Sequence, residues 1–533
     1  MSFDQLGAGD PTKTLMSTDF WQDMEIDVLM KRIKRSHLNP QLVKNYFENL
    51  SYSPDEIRIR QDNIQYLLEA ESLFGFLSKF INEMNFLKET KTALDMSHLT
   101  KVIRKISELE TWVKMVTGLQ QAFSQHQGEP RGLWIALKEL THKAHSSSEF
   151  ESLQLELPPL KAKIQGIRAV SIGINLNHHL EPVGAVLLSI EDEPYQGRSN
   201  GFLSKVFQDR KSPLGVLHEP PFKTLQVANQ TLTQDPNEHG YAVNPKSLPL
   251  FRDLSEILNK TSQELEKKLK QFSQVELEPW KKITDELSLL VHSVQLIQEW
   301  QSKGIPLCFP TILSVDRNFT QVEGMVHPPL MMKSMEQADV QAIKPNNIEL
   351  GDRGRIHIIT GPNSGGKTVY LQSIGWAHYL TQLGWPLPAR SAQISPASFL
   401  CSHFQKEEET GRGAGRFGEE IVRLKTLFGQ IKRGDVLLMN ESLSGTNAAE
   451  SSAIAWDLMK ALRVKGVRAG YTTHLHDLAR DVPILNDEVK GESLVASLVA
   501  QVGEFRVIYG EPLGRSFAHE IAKKYGLSFE SLI

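Results

Sequence analysis

The run Thr360-Gly361-Pro362-Asn363-Ser364-Gly365-Gly366-Lys367-Thr368 carries the clearest chemistry in this chain. Its residue types fit the spacing G-x-x-x-x-G-K-[ST], in which a backbone turn cradles phosphate groups. Glycines at 361, 365 and 366 admit conformations closed to other residues, so successive N–H groups can turn toward anionic oxygens. Lys367 is placed to reach the terminal phosphates, and Thr368 to offer its hydroxyl to a magnesium ion. The run reads as a site for ATP with Mg2+. Gly361, Pro362, Asn363, Ser364, Gly365, Gly366, Lys367 and Thr368 are the expected contacts.

Hydrolysis needs further groups, and candidates follow downstream. Asp435-Val436-Leu437-Leu438-Met439-Asn440-Glu441 is an apolar strand run with polar residues at its end, the form of a Walker B segment. An Asp at 440 would hold the metal ion through water, and Glu441 would polarise the attacking water. Position 440 is Asn instead. Its amide still accepts a hydrogen bond from metal-bound water, but one negative charge beside the dication is gone. Weaker magnesium affinity or slower hydrolysis is the expectation. Gly470-Tyr471-Thr472-Thr473-His474 ends a second apolar strand on His474, which suits a γ-phosphate sensor that orients water; His476 reads as structural. Ser444-Gly445-Thr446-Asn447 would form a loop beside the phosphates. The Gly/Arg stretch from Gly411 to Gly418, before Glu419 and Glu420, has by composition alone the character of a surface loop.

These groups need rigid elements to hold them. Arg355 to Thr360 reads as an apolar strand leading into the glycine run, and Val369 to Ile374 as a helix leading out, its positive end toward the same anion. From about Gly304 strands and helices alternate with Gly/Pro punctuation, as in an α/β domain, so a boundary is expected near 303. Before it the chain reads as helix after helix. Phe20 to Lys34 carries helical apolar spacing, and Ser53-Pro54-Asp55-Glu56 looks like a capped helix start. Further helical periodicity covers about 72–90, 97–124 and 130–165. Alternation from Val170 to Leu176 and a run from Gly184 to Ile190 predict a β-hairpin. Residues 191–245 read as irregular. Ser247 to Ser302 reads as long charged helix, with Pro279 starting or kinking its second part.

Composition sets the outer limits. At 533 residues the chain has room for two to four domains. A net charge of -4 supplies no global attraction to nucleic acid or anionic membrane, so any DNA contact must be local. Cys308 and Cys401 form no spaced pair, which argues against a disulfide framework or zinc site and suits a reducing compartment. No apolar run reaches the ~18 residues of a spanning helix, and the N-terminus has no signal-peptide pattern, so a cytoplasmic location with no membrane contact is expected.

Taken together these residues resemble the MutS family of DNA mismatch-repair ATPases. The family's loop reads T-G-P-N-x-G-G-K-[ST], matched at 360–368. The likeness extends to Gly324-Met325-Val326-His327-Pro328, Pro345-Asn346-Asn347, Phe417 with Glu420, Asn440-Glu441, Gly445-Thr446, Thr473-His474 and Gly514-Arg515-Ser516. It covers about 303–533 densely. Asp55 to Gln61 more weakly resembles the start of the family's core lever domain. The resemblance implies a mainly α core and lever region over 1–302, with a small β-hairpin and room for a reduced clamp. An α/β P-loop NTPase domain of ABC/MutS type would follow over 303–533.

It also implies roles, residue by residue. Lys367 would meet the phosphates and Thr368 the metal, with Asn440 at the second metal position, Glu441 as catalytic base and His474 as sensor. Ile343 falls where the family often packs an aromatic on adenine, so aliphatic contact would replace base stacking. Gly415 falls where a signature Ser touches the partner subunit's nucleotide, with Phe417 and Glu420 close by. Mismatch-recognising members begin with an intercalating Phe-x-Glu domain and a connector. This chain starts at the lever, has no Phe-x-Glu before the ATPase region, and ends at Ile533 without room for an appended nuclease module. The expectation is a slow ATPase, homodimeric through its ATPase domain. It would act on duplex or branched DNA in mismatch repair or recombination, and other repair proteins would be possible partners. The alternative is a nucleotide-gated adaptor with negligible hydrolysis and a protein partner. A transporter subunit is disfavoured by the soluble character of the helices. Direct sequence support for DNA is thin: Lys267-Lys268-Leu269-Lys270 lies beside Glu264 and Glu266, and Lys205, Arg210 and Lys211 are scattered.

Overall fold

Apolar residues at helical spacing fold as helices through the first 165 residues, and local signals set their ends. The computed structural model of the chain describes residues 12–33, 38–89, 98–165, 169–176, 178–179, 182–191, 193, 266–270, 272, 278–336, 343–362, 365–405, 416–444, 447–501 and 503–512. A short strand β1 (Leu15–Met16) precedes α1 (Phe20–Asp23), α2 (Asp27–Ile33), α3 (Pro40–Glu48), α4 (Pro54–Glu69) and α5 (Glu71–Glu89). The single helix expected from Phe20 is divided, because Glu25 takes a left-handed φ of 54° between α1 and α2. Ser53 caps α4 as its sequence predicts, accepting from the Glu56 N–H at 3.4 Å. Pro54 stands at the first position and two acids in the first turn, where the helix dipole favours them. Next come α6 (His98–Gln125), α7 (Leu133–His145) and α8 (Ser148–Gln165). The expected span 130–165 is thus two helices, divided where the Ser147 hydroxyl accepts from the Phe150 N–H at 3.2 Å. The expected hairpin forms from β2 (Ala169–Leu176) and β3 (Pro182–Glu191), paired antiparallel. Residues 194–265 lie outside the described residues. Helix α9 (Glu278–Ser302) carries Pro279 in its first turn, where no N–H is missed.

The chain divides into two compact units. One gathers residues 1–85, 121–140 and 281–533, and the other 86–120 and 141–280. In the latter, Trp112 stands edge-on to Phe150 and Trp280, with ring centroids 5.5 and 6.4 Å away.

The larger unit holds the candidate chemistry. Its remaining elements are β4 (Thr311–Ile312), β5 (Thr320–Met325), α10 (Pro328–Glu336), β6 (Asn346–Leu350), β7 (Ile356–Thr360), α11 (Lys367–Leu383), β8 (Ser391–Ile394) and β9 (Phe399–Phe404). They continue through α12 (Arg416–Gln430), β10 (Val436–Asn440), α13 (Ala448–Lys465), β11 (Arg468–Thr472), α14 (His476–Arg480), α15 (Val482–Glu488), β12 (Val495–Ala500) and β13 (Val507–Tyr509). Seven strands make one sheet in the order β1-β9-β10-β11-β7-β12-β13, and a four-stranded sheet runs β4-β8-β5-β6. All neighbours in the larger sheet are parallel except β12 and β13. Its central strands are apolar on both faces because helices cover both. Ile356, Ile358, Leu437, Met439, Ala469 and Tyr471 join Leu424, Met459 and Leu478 in one core cluster. Alternate residues face α11, which packs close at Gly470: a Cβ there would fall 2.5 Å from Leu371 Cδ1.

The N-terminal segment extends this sheet, which the sequence reading did not foresee. Strand β1 lies parallel to β9, with Leu15 opposite Phe399. Asp23 Oδ2 accepts from the Ser402 hydroxyl at 2.7 Å, and Asp19 pairs with Arg423 at 2.8 Å. The Trp376 indole N–H donates to Met24 O at 2.8 Å. Among the described residues, no helix is long and apolar enough to cross a membrane.

Buried histidines give the larger unit a pH dependence. His327, His357 and His403 are each pushed down to about 4, chiefly by burial. They are neutral in the fold at pH 5, whereas in the unfolded chain they take protons near pH 6.5. The unfolded state therefore binds more protons between those values, and stability falls as pH drops through that window. We expect a loss on the order of 2 kcal/mol per histidine between pH 7 and 5, read from urea midpoints at the two pH values. Unchanged midpoints would contradict this.

Candidate active site

Strand register is what assembles the polar groups. Asn440 lies opposite Thr472, and Thr472 opposite Ile359, across the parallel strands β10, β11 and β7. Thr360, Asn440 and Thr472 therefore end at one edge of the sheet, and the residues after them emerge there. In open α/β sheets this carboxyl edge is where ligands bind.

Past Thr360 the chain turns through Gly361, at φ 126°, to Gly366, at φ 83°, and α11 begins at Lys367. Strand β12 enforces glycine here: a Cβ on Gly361 would lie 2.9 Å from Ala500 O, and one on Gly365 2.9 Å from Ala500 Cβ. The Gly365 N–H donates to Pro362 O at 3.0 Å. Asn363 and Ser364 lie outside the described residues. Lys367 is buried, and its ammonium donates to Gly361 O at 2.8 Å and to Pro362 O at 3.2 Å, reaching back along the loop. Burial pushes its pKa down, and the Glu441 carboxylate opposes the shift.

The two expected metal residues touch each other. Asn440 Oδ1 accepts from the Thr368 hydroxyl at 3.1 Å and from the Thr472 hydroxyl at 2.7 Å. Among the described residues, no group of three or more His, Cys, Asp or Glu could hold a metal ion. Neutral oxygens at 368 and 440 fit a magnesium ion that arrives with triphosphate and keeps most of its water, not a resident cation. Glu441 follows at a left-handed φ of 51°, with its N–H donating to Thr472 O at 3.0 Å. Its carboxylate lies 3.3 Å from His474 Nε2, and both side chains are partly open to solvent. At that distance the carboxylate and the imidazole contact each other directly, so a water held by both would sit beside the pair.

The turn after β10 is strained and firmly held. Leu443 also has positive φ, 69°. Its N–H donates to Glu420 Oε1 at 2.7 Å, and its carbonyl accepts from the Ser451 hydroxyl at 2.6 Å. The Tyr471 hydroxyl donates to Ser442 O at 2.8 Å. Such a conformation persists only where its surroundings fix it. Glu420, expected beside a partner's nucleotide, is buried within its own chain in this role. Phe417 packs partly buried against the core cluster. Gly415 and Gly445-Thr446 lie outside the described residues, whereas Asn447 caps α13 by accepting from the Glu450 N–H at 2.9 Å.

Two residues escaped the sequence reading. Thr472 is one, bridging Asn440 and Glu441. The other is Phe505, in the β12–β13 turn, at φ 54° and 52% exposed. Its Cα and Cβ lie 3.8 Å from where a Cβ on Gly366 would stand. Asn346 pins the turn, donating to Phe505 O at 3.0 Å and accepting from the Val507 N–H at 2.9 Å. Ile343, three residues ahead of Asn346, is half-buried. An aromatic between Glu504 and Arg506 in a polar turn was the available signal.

The family model for MutS domain V matches residues 357–527, and that for the MutS2 N-terminal domain matches 53–303. Endonuclease MutS2 of Halothermothrix orenii is 26% identical over 389 residues, 72% of this chain and 45% of that protein. DNA mismatch repair protein MutS of Granulibacter bethesdensis is 30% identical over 182 residues, 33% of this chain and 19% of that protein. Endonuclease MutS2 of Streptococcus pneumoniae is 28% identical over 184 residues, 34% and 23% respectively. The chain spans less than half the length of each of these curated relatives.

The Glu420 contact can be weighed directly. Glu420→Ala leaves the buried Leu443 N–H without its acceptor, which costs about 1–3 kcal/mol. Glu420→Gln keeps an acceptor oxygen and should cost much less. Chemical-denaturation midpoints of the two variants should differ accordingly, and equal midpoints would refute the role.

Proposed function

Because the chain belongs to the MutS family, we propose that it binds ATP with Mg2+ at the turn between β7 and α11 and hydrolyses it slowly while acting on DNA. What supports this most is the meeting of Lys367, Thr368, Asn440, Glu441 and His474 at one edge of the sheet. In this reading Gly361 to Gly366 turn N–H groups toward the phosphates, and Lys367 exchanges its carbonyl partners for phosphate oxygens. Thr368 and Asn440 would hold the magnesium ion, which would supply charge neutralisation on the phosphates. Glu441 accepts a proton from the attacking water, and His474 orients it. Ile343 and Phe505 would flank the base.

Residues 303–533, extended by the β1–α1 segment that joins their sheet, are then the ATPase domain, and the rest of 1–302 the lever region. The chain works as a homodimer in which bound ATP favours one arrangement of the levers, as differential affinity requires. The name of the Granulibacter bethesdensis relative points to DNA, and the reading is structure-directed binding to duplex or branched DNA. A second reading, the nucleotide-gated adaptor, draws support from Asn440, which is neutral and already accepts two hydroxyl bonds.

Phosphate release separates the two. Glu441→Ala should cut the rate by a factor on the order of a hundred if Glu441 is the base, with ATP still bound. Lys367→Ala should abolish ATP binding itself. Equal near-zero rates in the parent and Glu441→Ala would support the adaptor. Asn440→Asp restores a charge at the metal and should tighten magnesium binding and raise the rate. A rate unmoved by that change, at saturating magnesium and below it, would show that charge at 440 is not limiting.

A further inference from the structure

Arginines far apart in sequence converge on a cavity of about 380 Å³ beside β6 and β13. Arg353, Arg390 and Arg506 line it, together with Asn347, Glu349 and Tyr509, and no described residue of 360–368 does. The Arg353 guanidinium carbon lies 3.9 Å from the Tyr509 ring centroid, and its Nη1 is 3.7 Å from Glu349 Oε2. Arg390 rests on Gly324, with its Nε and Cζ 3.2 Å from where a Cβ would stand. Gly324 has φ 65°, and its N–H donates to Asn347 Oδ1 at 2.8 Å, so the absent side chain leaves that guanidinium its place. Glu349 is the one carboxylate among the lining residues. Three guanidiniums against one carboxylate leave two positive charges facing a concave wall.

We propose that this cavity is an anion site for a phosphate-bearing ligand, held by Arg390 and Arg506 with Arg353 behind them. Planar guanidiniums match phosphate oxygens two at a time, and a dianion cancels both excess charges where a monocarboxylate leaves one. The wall chemistry also links the site to the phosphate loop. Arg506 adjoins Phe505, whose backbone lies beside Gly366, and Asn346 ties the same turn to β6. An anion bridging Arg506 and Arg390 would join that turn to the four-stranded sheet and restrain Phe505. The shared chemistry is a phosphate group, whether on a free small molecule or in a nucleic-acid backbone. The proposal does not rest on ATP hydrolysis, since Lys367 takes no part in it.

The test uses the full chain carrying Lys367→Ala, with labelled pyrophosphate in equilibrium dialysis at low salt. One pyrophosphate site per chain should survive that substitution. Adding Arg390→Ala and Arg506→Ala should weaken it about tenfold for each arginine removed, with the thermal midpoint unchanged because both side chains are exposed. A short DNA duplex that displaces the pyrophosphate would identify a nucleic-acid backbone as the source. Failure to displace it would identify a free molecule. No pyrophosphate binding by the Lys367→Ala chain, or binding equal in the arginine variants, overturns the proposal.

Discussion

The parallel alignment of β7, β10 and β11 is the constraint on which the candidate site depends. A slip of one residue in any of them would turn its core-facing side chains to the opposite face and carry Thr360, Asn440 or Thr472 out of line. The opposite ends of the same strands are where that alignment is fixed. Arg468, fully buried at the start of β11, donates to Phe319 O, Thr320 Oγ1, Ser395 O, Pro396 O and Gly434 O. Burial pushes its guanidinium down to about 9, and Asp435 opposes that shift. Asp435 itself accepts from the Phe399 N–H at 2.9 Å and the Lys432 N–H at 2.7 Å. One end of the sheet is thus tied by a dense set of hydrogen bonds, and the candidate site lies at the other.

Charge at the end that holds the candidate site is sparse and local. Lys367 is desolvated, and the carboxylate that opposes its pKa shift belongs to Glu441. Glu441 in turn sits on a backbone that only neighbouring contacts keep in place, through Thr472, Glu420 and Ser451. With Asn at 440, a metal ion held there would meet neutral protein oxygens, and phosphates would have to supply its anionic ligands. Strain, desolvation and a missing charge all fall within a few residues of one another. Functional sites commonly depart from the packing rules that the rest of a fold obeys.

The glycine run, the helix start at Ser53 and the β2–β3 hairpin were legible because their signals are local. Glycine spacing, a capping residue and period-two alternation need no knowledge of distant contacts. The shared placement of residues 440, 441 and 474 was legible because each ends an apolar run, and a buried parallel strand delivers whatever follows it to the same edge. The break at Glu25 was not, since no Gly or Pro marks it. The backbone-holding contact of Glu420 with Leu443 was not legible, because it depends on how α12 lies against the turn after β10. Thr472 and Phe505 were missed for the same reason, and the grouping of Arg353, Arg390 and Arg506 has no linear signature at all.

The outermost strand of the larger sheet comes from the first residues of the chain, yet it pairs with a strand near position 400. During synthesis at roughly 5–20 residues per second, Leu15 and Met16 must wait on the order of tens of seconds before β9 exists to receive them. Until then the backbone amides of β1 have no β9 partner. That edge of the sheet therefore closes late, only after residues near 400 have been made.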